Sequence, residues 1–92
     1  MPWTVNLSKK VAKKWEKLPN GIKDAVALLV AEMKTAGPVR GNWSNYSKLP
    51  GSRNHCHLKK GKPSYVAVWR EEPGGIELIE VIYVGTHEKA PY

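Results

Sequence analysis

Residues 76–84 constrain the fold more than any other stretch. From Ile76 to Val84 the chain is apolar apart from Glu77 and Glu80. That run is rich in β-branched residues and reads as a strand that is central, or covered on both faces. Such a strand needs neighbours. Ser64 to Arg70 supplies one, with Tyr65, Val66, Val68 and Trp69. The turn at Glu71–Gly75 contains Pro73-Gly74-Gly75, and so tight a connection implies antiparallel pairing. His55 to Lys60 reads as a further strand. Before it, Val39 to Ser52 reads as a loop leading into a strand, with Leu49-Pro50-Gly51 as a turn. At the start of the chain, Trp3-Thr4-Val5-Asn6-Leu7 alternates apolar and polar residues, the pattern of a short strand with one buried face.

Two helices lie between the first strand and the rest. Ser8 suits an N-cap. Val11, Trp15 and Leu18 then recur at helical spacing over Lys9–Leu18, with Lys9, Lys10, Lys13, Lys14 and Lys17 on the other sides. Pro19-Asn20-Gly21 interrupts the chain. A second helix from about Gly21 to Thr35 sets Ile22, Val26, Leu29 and Met33 on one face, widened by Ala25, Leu28 and Val30. Gly37-Pro38 stops it. So short a link predicts an antiparallel helical hairpin. The fold class is therefore α+β: an N-terminal strand and helical hairpin on one face of a small twisted, mainly antiparallel sheet. The opposite face is expected to be open to solvent or ligand. Residues 1–92 read as a single domain.

Charge limits the choice of partner. Fifteen Lys and Arg against eight Asp and Glu give a formal net charge of +7, which favours a polyanion such as nucleic acid or an acidic protein. The single cysteine, Cys56, excludes an intramolecular disulfide and a cysteine-based zinc cage. No apolar run approaches the roughly 20 residues of a membrane span, and no signal-peptide core is evident. A reducing, cytoplasmic setting is expected.

The candidate chemistry centres on His55-Cys56-His57. On a strand, His55, His57 and Lys59 would share one face, and Cys56, Leu58 and Lys60 the other. Three readings compete for the histidine side: polar residues on a wet sheet face, a His-x-His metal pair disfavoured by the neighbouring lysine, or phosphate chemistry with imidazole as acid or base. His87 follows the strongest strand just past a glycine. Arg70 ends its strand on the side of Val66 and Val68. It would serve as a phosphate clamp or as a surface ion pair with Glu71, Glu72 or Glu88. Cys56 lacks an activating helix N-terminus and is expected in the core. No phosphate-binding glycine loop, nucleophile elbow or zincin motif is present.

Taken together, several segments resemble the RelE/ParE superfamily of small toxins from prokaryotic toxin–antitoxin pairs. These are the basic helical hairpin, Lys48-Leu49-Pro50-Gly51, His55-Cys56-His57-Leu58, the Tyr65–Arg70 strand and Val84-Gly85-Thr86-His87. The resemblance covers essentially the whole chain and is strongest to the RelE and YafQ-type branch. It implies a β-α-α fold followed by an antiparallel sheet. It implies metal-independent, cofactor-free endonucleolytic cleavage of mRNA, usually in the ribosomal A site, by attack of the 2′-hydroxyl on phosphorus. By position, His57 matches a catalytic strand residue, Lys59 a second catalytic lysine, and His87 the residue after Gly-x. Tyr92 matches a C-terminal aromatic in uncertain register, and Arg70 lies near a basic position. His57 is assigned as base and His87 as acid, with the reverse left open. Lys59 and Arg70 would stabilise charge, and Tyr92 would stack on a base. Lys9, Lys10, Lys13, Lys14, Lys17, Arg53, His55, Lys60 and Lys62 form the expected RNA-binding surface.

Two departures stand out. Val66 falls where RelE carries an arginine, and Lys62-Pro63 falls where YafQ-type chains are acidic. The resemblance also implies a small antitoxin partner together with ribosome and mRNA, no membrane, and no stable DNA binding by this chain alone. Two alternatives share the fold. One is a ParE-like inhibitor of DNA gyrase without nuclease activity; the other is a nonenzymatic RNA-binding homologue.

Overall fold

A computed structural model describes residues 3–59, 63–72 and 77–91. The turn expected at Pro73-Gly74-Gly75, along with Ile76, Lys60, Lys62 and Tyr92, lies outside the described residues. The apolar C-terminal run does form the longest strand. Five strands, β1 (Thr4–Leu7), β2 (Ser47–Leu49), β3 (Arg53–Lys59), β4 (Tyr65–Glu71) and β5 (Leu78–Thr86), make one sheet in the order β1-β5-β4-β3-β2. The pairs β2–β3, β3–β4 and β4–β5 are antiparallel, and β1 pairs with β5 in parallel. β4 and β5 thus have neighbours on both sides, as their near-continuous apolarity requires. The edge positions fall to the short, polar β1 and β2.

Ser8 caps α1 (Lys9–Lys14), its Oγ accepting from the Val11 amide at 3.2 Å. The expected helix to Leu18 tightens into a 3-10 turn at Trp15–Lys17. The cause is Pro19, which drives the preceding Leu18 to an extended conformation with ψ 144°. α2 (Asn20–Ala36) then runs uninterrupted. It ends at Gly37, whose amide donates to the Met33 carbonyl and whose φ of +88° only glycine adopts without strain. A Cβ at Gly37 would lie 2.9 Å from Trp3 Nε1. The indole of Trp3 packs on this helix end, with its amide donating to the Lys34 carbonyl.

The core lies between the helices and one sheet face. Ile22, Val26, Leu29 and Met33 of α2 meet Cys56, Ala67, Trp69, Ile79 and Val81 of the sheet, all buried. Val11 joins them fully buried, and Trp15 and Leu18 pack half-buried alongside. Leu28 does not widen this face as expected: it is 57% exposed, because two residues from Val26 is about 200° around the helix. α1 rests on β5 and α2 crosses from β1 to β3, so both helices dock on the sheet. A Lys23–Glu16 ion pair at 3.7 Å joins α2 to the turn after α1.

The face away from the helices is not open throughout. Val66 and Val68 point to it, opposite His57 and His55, yet both are completely buried. The chain after β5 turns back across this face, and the Pro91 carbonyl accepts from Arg53 Nη1 at 3.1 Å. Two valines on a sheet face are worth about 3–5 kcal/mol when covered, which is the driving force for laying the tail there. No helix among the described residues is long and apolar enough to cross a membrane.

Candidate functional site

All three histidines of the chain converge on that second face. His57 projects from β3. His87 opens a 3-10 turn (His87–Lys89) directly after β5, held by its amide donating to the Ser64 carbonyl at 2.9 Å. The two rings lie 5.4 Å apart, centroid to centroid, tilted by 54°. His55 stands 6.1 Å from His57, edge to face. Pairing of β4 between β3 and β5 creates this approach, with Val66 opposite both His57 and Gly85. Gly85 has its own reason. The Tyr83 ring lies across it, and a Cβ there would come within 2.7 Å of Tyr83 Oη. That hydroxyl donates to the Thr86 carbonyl at 2.7 Å, fixing the backbone just before His87. Burial pushes the Tyr83 phenol upward, so it stays protonated and keeps donating.

Lys59 does not join the histidines, contrary to the alternation expected along β3. A bulge between His57 and Lys59 shifts the register, so that Lys59 pairs with Tyr65. Directly opposed residues share a face, and Tyr65 packs toward the core. One extra residue therefore turns Lys59 to the helix side, where it lines a cleft with Pro19, Gly21, Ile22 and Leu58.

Arg70 faces the histidine side but is spent elsewhere. Its Nη2 bonds Glu72 at 3.0 Å and Glu80 at 3.3 Å. Its Nε is buried without a partner among the described residues. It opposes Arg53, four residues along from the His57 pairing position, which is about 13 Å at ~3.3 Å per residue. Arg53 itself is engaged by the Pro50 and Pro91 carbonyls. Of the lysines, Lys14 and Lys17 flank, with Lys89, a cleft of about 360 Å³ floored by Leu18, Tyr65 and Tyr83. Lys9, Lys10 and Lys13 are exposed on α1. Cys56 is fully buried, and burial foremost pushes its thiol up to about 12, which removes it as a nucleophile. Among the described residues, no group of three or more His, Cys, Asp or Glu is placed to hold a metal ion.

The loop before β2 supplies residues that sequence reasoning missed. Glu32 Oε1 on α2 accepts from Arg40 Nη1 at 3.1 Å, Asn42 Nδ2 at 3.0 Å and Trp43 Nε1 at 2.9 Å. The bonds from Asn42 and Trp43, and then Arg40, hold its carboxyl below the usual range. The Tyr46 hydroxyl donates to buried Asn54 Oδ1 at 2.6 Å, and its ring stacks on Trp69. So anchored, the loop presents the Ser44 carbonyl to the His57 amide at 2.8 Å and Asn45 Nδ2 to His57 Nδ1 at 3.4 Å. Ser47 Oγ lies 3.0 Å from His55 Nδ1. The one sequence signal was the unusual density of Trp, Asn, Ser and Tyr at positions 42–47, a composition that pins a loop as readily as it solvates one.

No protein-family model and no curated protein matches the sequence. Solved structures do. A variant of the E. coli toxin RelE in the free state aligns over 96% of this chain and 86% of its own length, at TM-score 0.68 and 20% identity. A chain of the archaeal RelE–RelB complex from Pyrococcus horikoshii aligns over 98% of this chain and 100% of its own length, at TM-score 0.62 and 13% identity. With helices on one face of a mostly antiparallel five-stranded sheet, this chain has the RelE-like fold of those two structures.

Proposed function

We propose that the chain is the toxin of a toxin–antitoxin pair and that it cleaves mRNA, in the ribosomal A site, by acid–base catalysis. The observation that carries this reading is the His57–His87 pair, two imidazoles 5.4 Å apart on the face away from the helices. One imidazole takes the proton of a ribose 2′-hydroxyl, and the 2′-oxygen bonds the adjacent phosphorus. The phosphorus–5′-oxygen bond breaks, and the other imidazole protonates the leaving oxygen. The products are a 2′,3′-cyclic phosphate and a 5′-hydroxyl end. Imidazole is the side chain best suited to exchange a proton near neutral pH, as either acid or base. Positioned groups of this kind each contribute about 10²–10⁴-fold.

The remaining roles follow from placement. Lys14, Lys17 and Lys89 surround a cleft beside the His87 turn and attract the RNA backbone. Arg70, tied to two carboxylates, is not assigned to the reacting phosphate, and neither is Lys59. A RelE neighbour crystallised with RelB, and an acidic antitoxin suits the +7 charge of this chain. The setting is the cytoplasm, where ribosomes are.

The test is primer extension on a reporter mRNA after adding the protein to a reconstituted translation reaction, with and without ribosomes. New 5′ ends that need ribosomes, and that disappear in His57→Ala and His87→Ala, are expected. Absence of new ends with folded protein overturns the reading, and a gyrase supercoiling assay then examines the ParE-like alternative.

A further inference from the structure

We infer that the cleft between α1 and the end of β5 is a binding site for one unstacked nucleotide of a single-stranded RNA, its base laid on the Tyr83 ring and its phosphates held by Lys14, Lys17 and Lys89. RNA is chosen on the strength of the nuclease reading, whereas the cleft and its lining are independent of it. The cleft follows from how the sheet is built. β1 pairs with β5 only as far as Leu7 opposite Val81. The Ser8 amide donates to the Val81 carbonyl at 2.9 Å, and the chain then turns into α1. Beyond Val81, β5 has β4 on one side and, among the described residues, no strand on the other. The gap left beside α1 and its 3-10 turn has a volume of about 360 Å³, within the roughly 300–1,000 Å³ of small-ligand clefts.

Two kinds of group line it. Lys14 and Lys17 come from the helical segment and Lys89 from the turn after β5, and no carboxylate is among the described lining residues. Positive charge from two separate elements thus converges on one cavity, where it concentrates an anionic ligand. Between the lysines lie Tyr65 and Tyr83, both half-buried. Tyr83 is fixed at its far end. Its hydroxyl donates to the Thr86 carbonyl at 2.7 Å, and a Cβ on Gly85 would come within 2.9 Å of its Cζ. A ring so held gives up little freedom on stacking. Its hydroxyl is already engaged, so it offers a π surface rather than a hydrogen bond. A basic groove with an aromatic platform is how proteins hold single-stranded nucleic acid. An acidic peptide would use the lysines but gain nothing from the pinned ring.

Thr86 and Lys89 both line the cleft, and His87 stands between them in the chain. A nucleotide seated there adjoins the one presented to the His57–His87 pair. Cleavage needs the 2′-oxygen in line with the phosphorus and the departing 5′-oxygen. Anchoring the neighbouring nucleotide restricts the strand to geometries near that alignment.

The experiment compares two probes without ribosomes: a 2′-O-methyl hexanucleotide, which lacks the attacking hydroxyl, and the same sugar–phosphate chain without bases. Affinities are measured by fluorescence anisotropy for wild type, Tyr83→Leu, Tyr83→Phe and Lys17→Ala, with amide spectra confirming folding of each. Tyr83→Leu should weaken the base-bearing strand by about 5–150-fold, the worth of one stacked base, and leave the abasic chain nearly unchanged. Tyr83→Phe should keep the difference between the strands. Lys17→Ala should weaken both alike. In wild type, the Tyr83 ring protons should shift upfield with the base-bearing strand and not with the abasic one, a readout that needs no substitution. No binding of the hexanucleotide, equal binding of the two probes by wild type, or a Tyr83→Leu loss that is absent or the same for both probes overturns the inference; equal binding is the result a site for an acidic peptide would give. Because no cleavage is read, such a failure leaves the nuclease reading standing, and a failed cleavage assay leaves base-dependent binding intact.

Discussion

Replacing Glu32 by Gln tests how the loop that approaches His57 is held. Glu32 Oε1 accepts three hydrogen bonds of 2.9–3.1 Å from Trp43, Asn42 and Arg40. Hydrogen bonds to a charged group contribute about 1.5–3 kcal/mol and neutral ones about 0.5–1.5, so neutralising the acceptor removes nominally about 1 kcal/mol per bond. The three donors share one oxygen, and the Glu32 side chain is 27% exposed, so solvent screening lowers the total to about 1–2 kcal/mol. With an m-value near 1 kcal/mol/M, the urea midpoint at about pH 7 should fall by about 1–2 M. The native carboxyl titrates below its ordinary 4.5. Its contribution is therefore present above the unfolded pKa and lost as pH falls through the lower native one. The gap between wild type and Glu32→Gln in urea titrations should accordingly close as pH falls below the ordinary 4.5 and through the lower native value. A gap that persists undiminished in acid, or a midpoint shift under about 0.3 M at neutral pH, refutes the charged-hub account.

Gly85→Ala should cost about 1–3 kcal/mol, because the new Cβ displaces the Tyr83 ring and its bond to the Thr86 carbonyl. Urea unfolding measures it, and near-additivity with Tyr83→Ala would contradict the contact. Substituting Lys14, Lys17 or Lys89 by Ala should each flatten the salt dependence of binding to a non-cleavable single strand, by about 0.7 in log–log slope; an unchanged slope removes that lysine from the RNA path. Cys56, buried with its thiol pushed up to about 12, should resist thiol reagents at pH about 8 until urea unfolds the chain. Fast labelling of the native protein would place it elsewhere than in the core.

Residue spacing revealed what spacing controls. The α2 stripe of Ile22, Val26, Leu29 and Met33 is buried as read, and the mostly apolar β5 lies inside the sheet with a strand on either side. Cys56 inside and His57 outside follow from the two-residue period of a strand. Lys59 escaped because a bulge is a local backbone event without a distinctive residue, and one inserted position inverts every face beyond it. The parallel pairing of β1 with β5 escaped because it joins opposite ends of the chain. The buried second face at Val66 and Val68 escaped because it depends on where the tail comes to rest. The approach of Asn45 to His57 depends on the pairing of a loop with β3, and on anchors as distant in sequence as Glu32.

The most direct test of the central claim is single-turnover cleavage of ribosome-bound mRNA by wild type, His57→Ala, His87→Ala and the double variant. Two histidines acting on one phosphate form a unit, and their losses do not add. Each single variant should lose about 10²-fold or more, and the double variant little beyond the worse single. Losses below about tenfold in either single variant, or fully multiplicative losses in the double, would contradict a paired acid–base centre at His57 and His87.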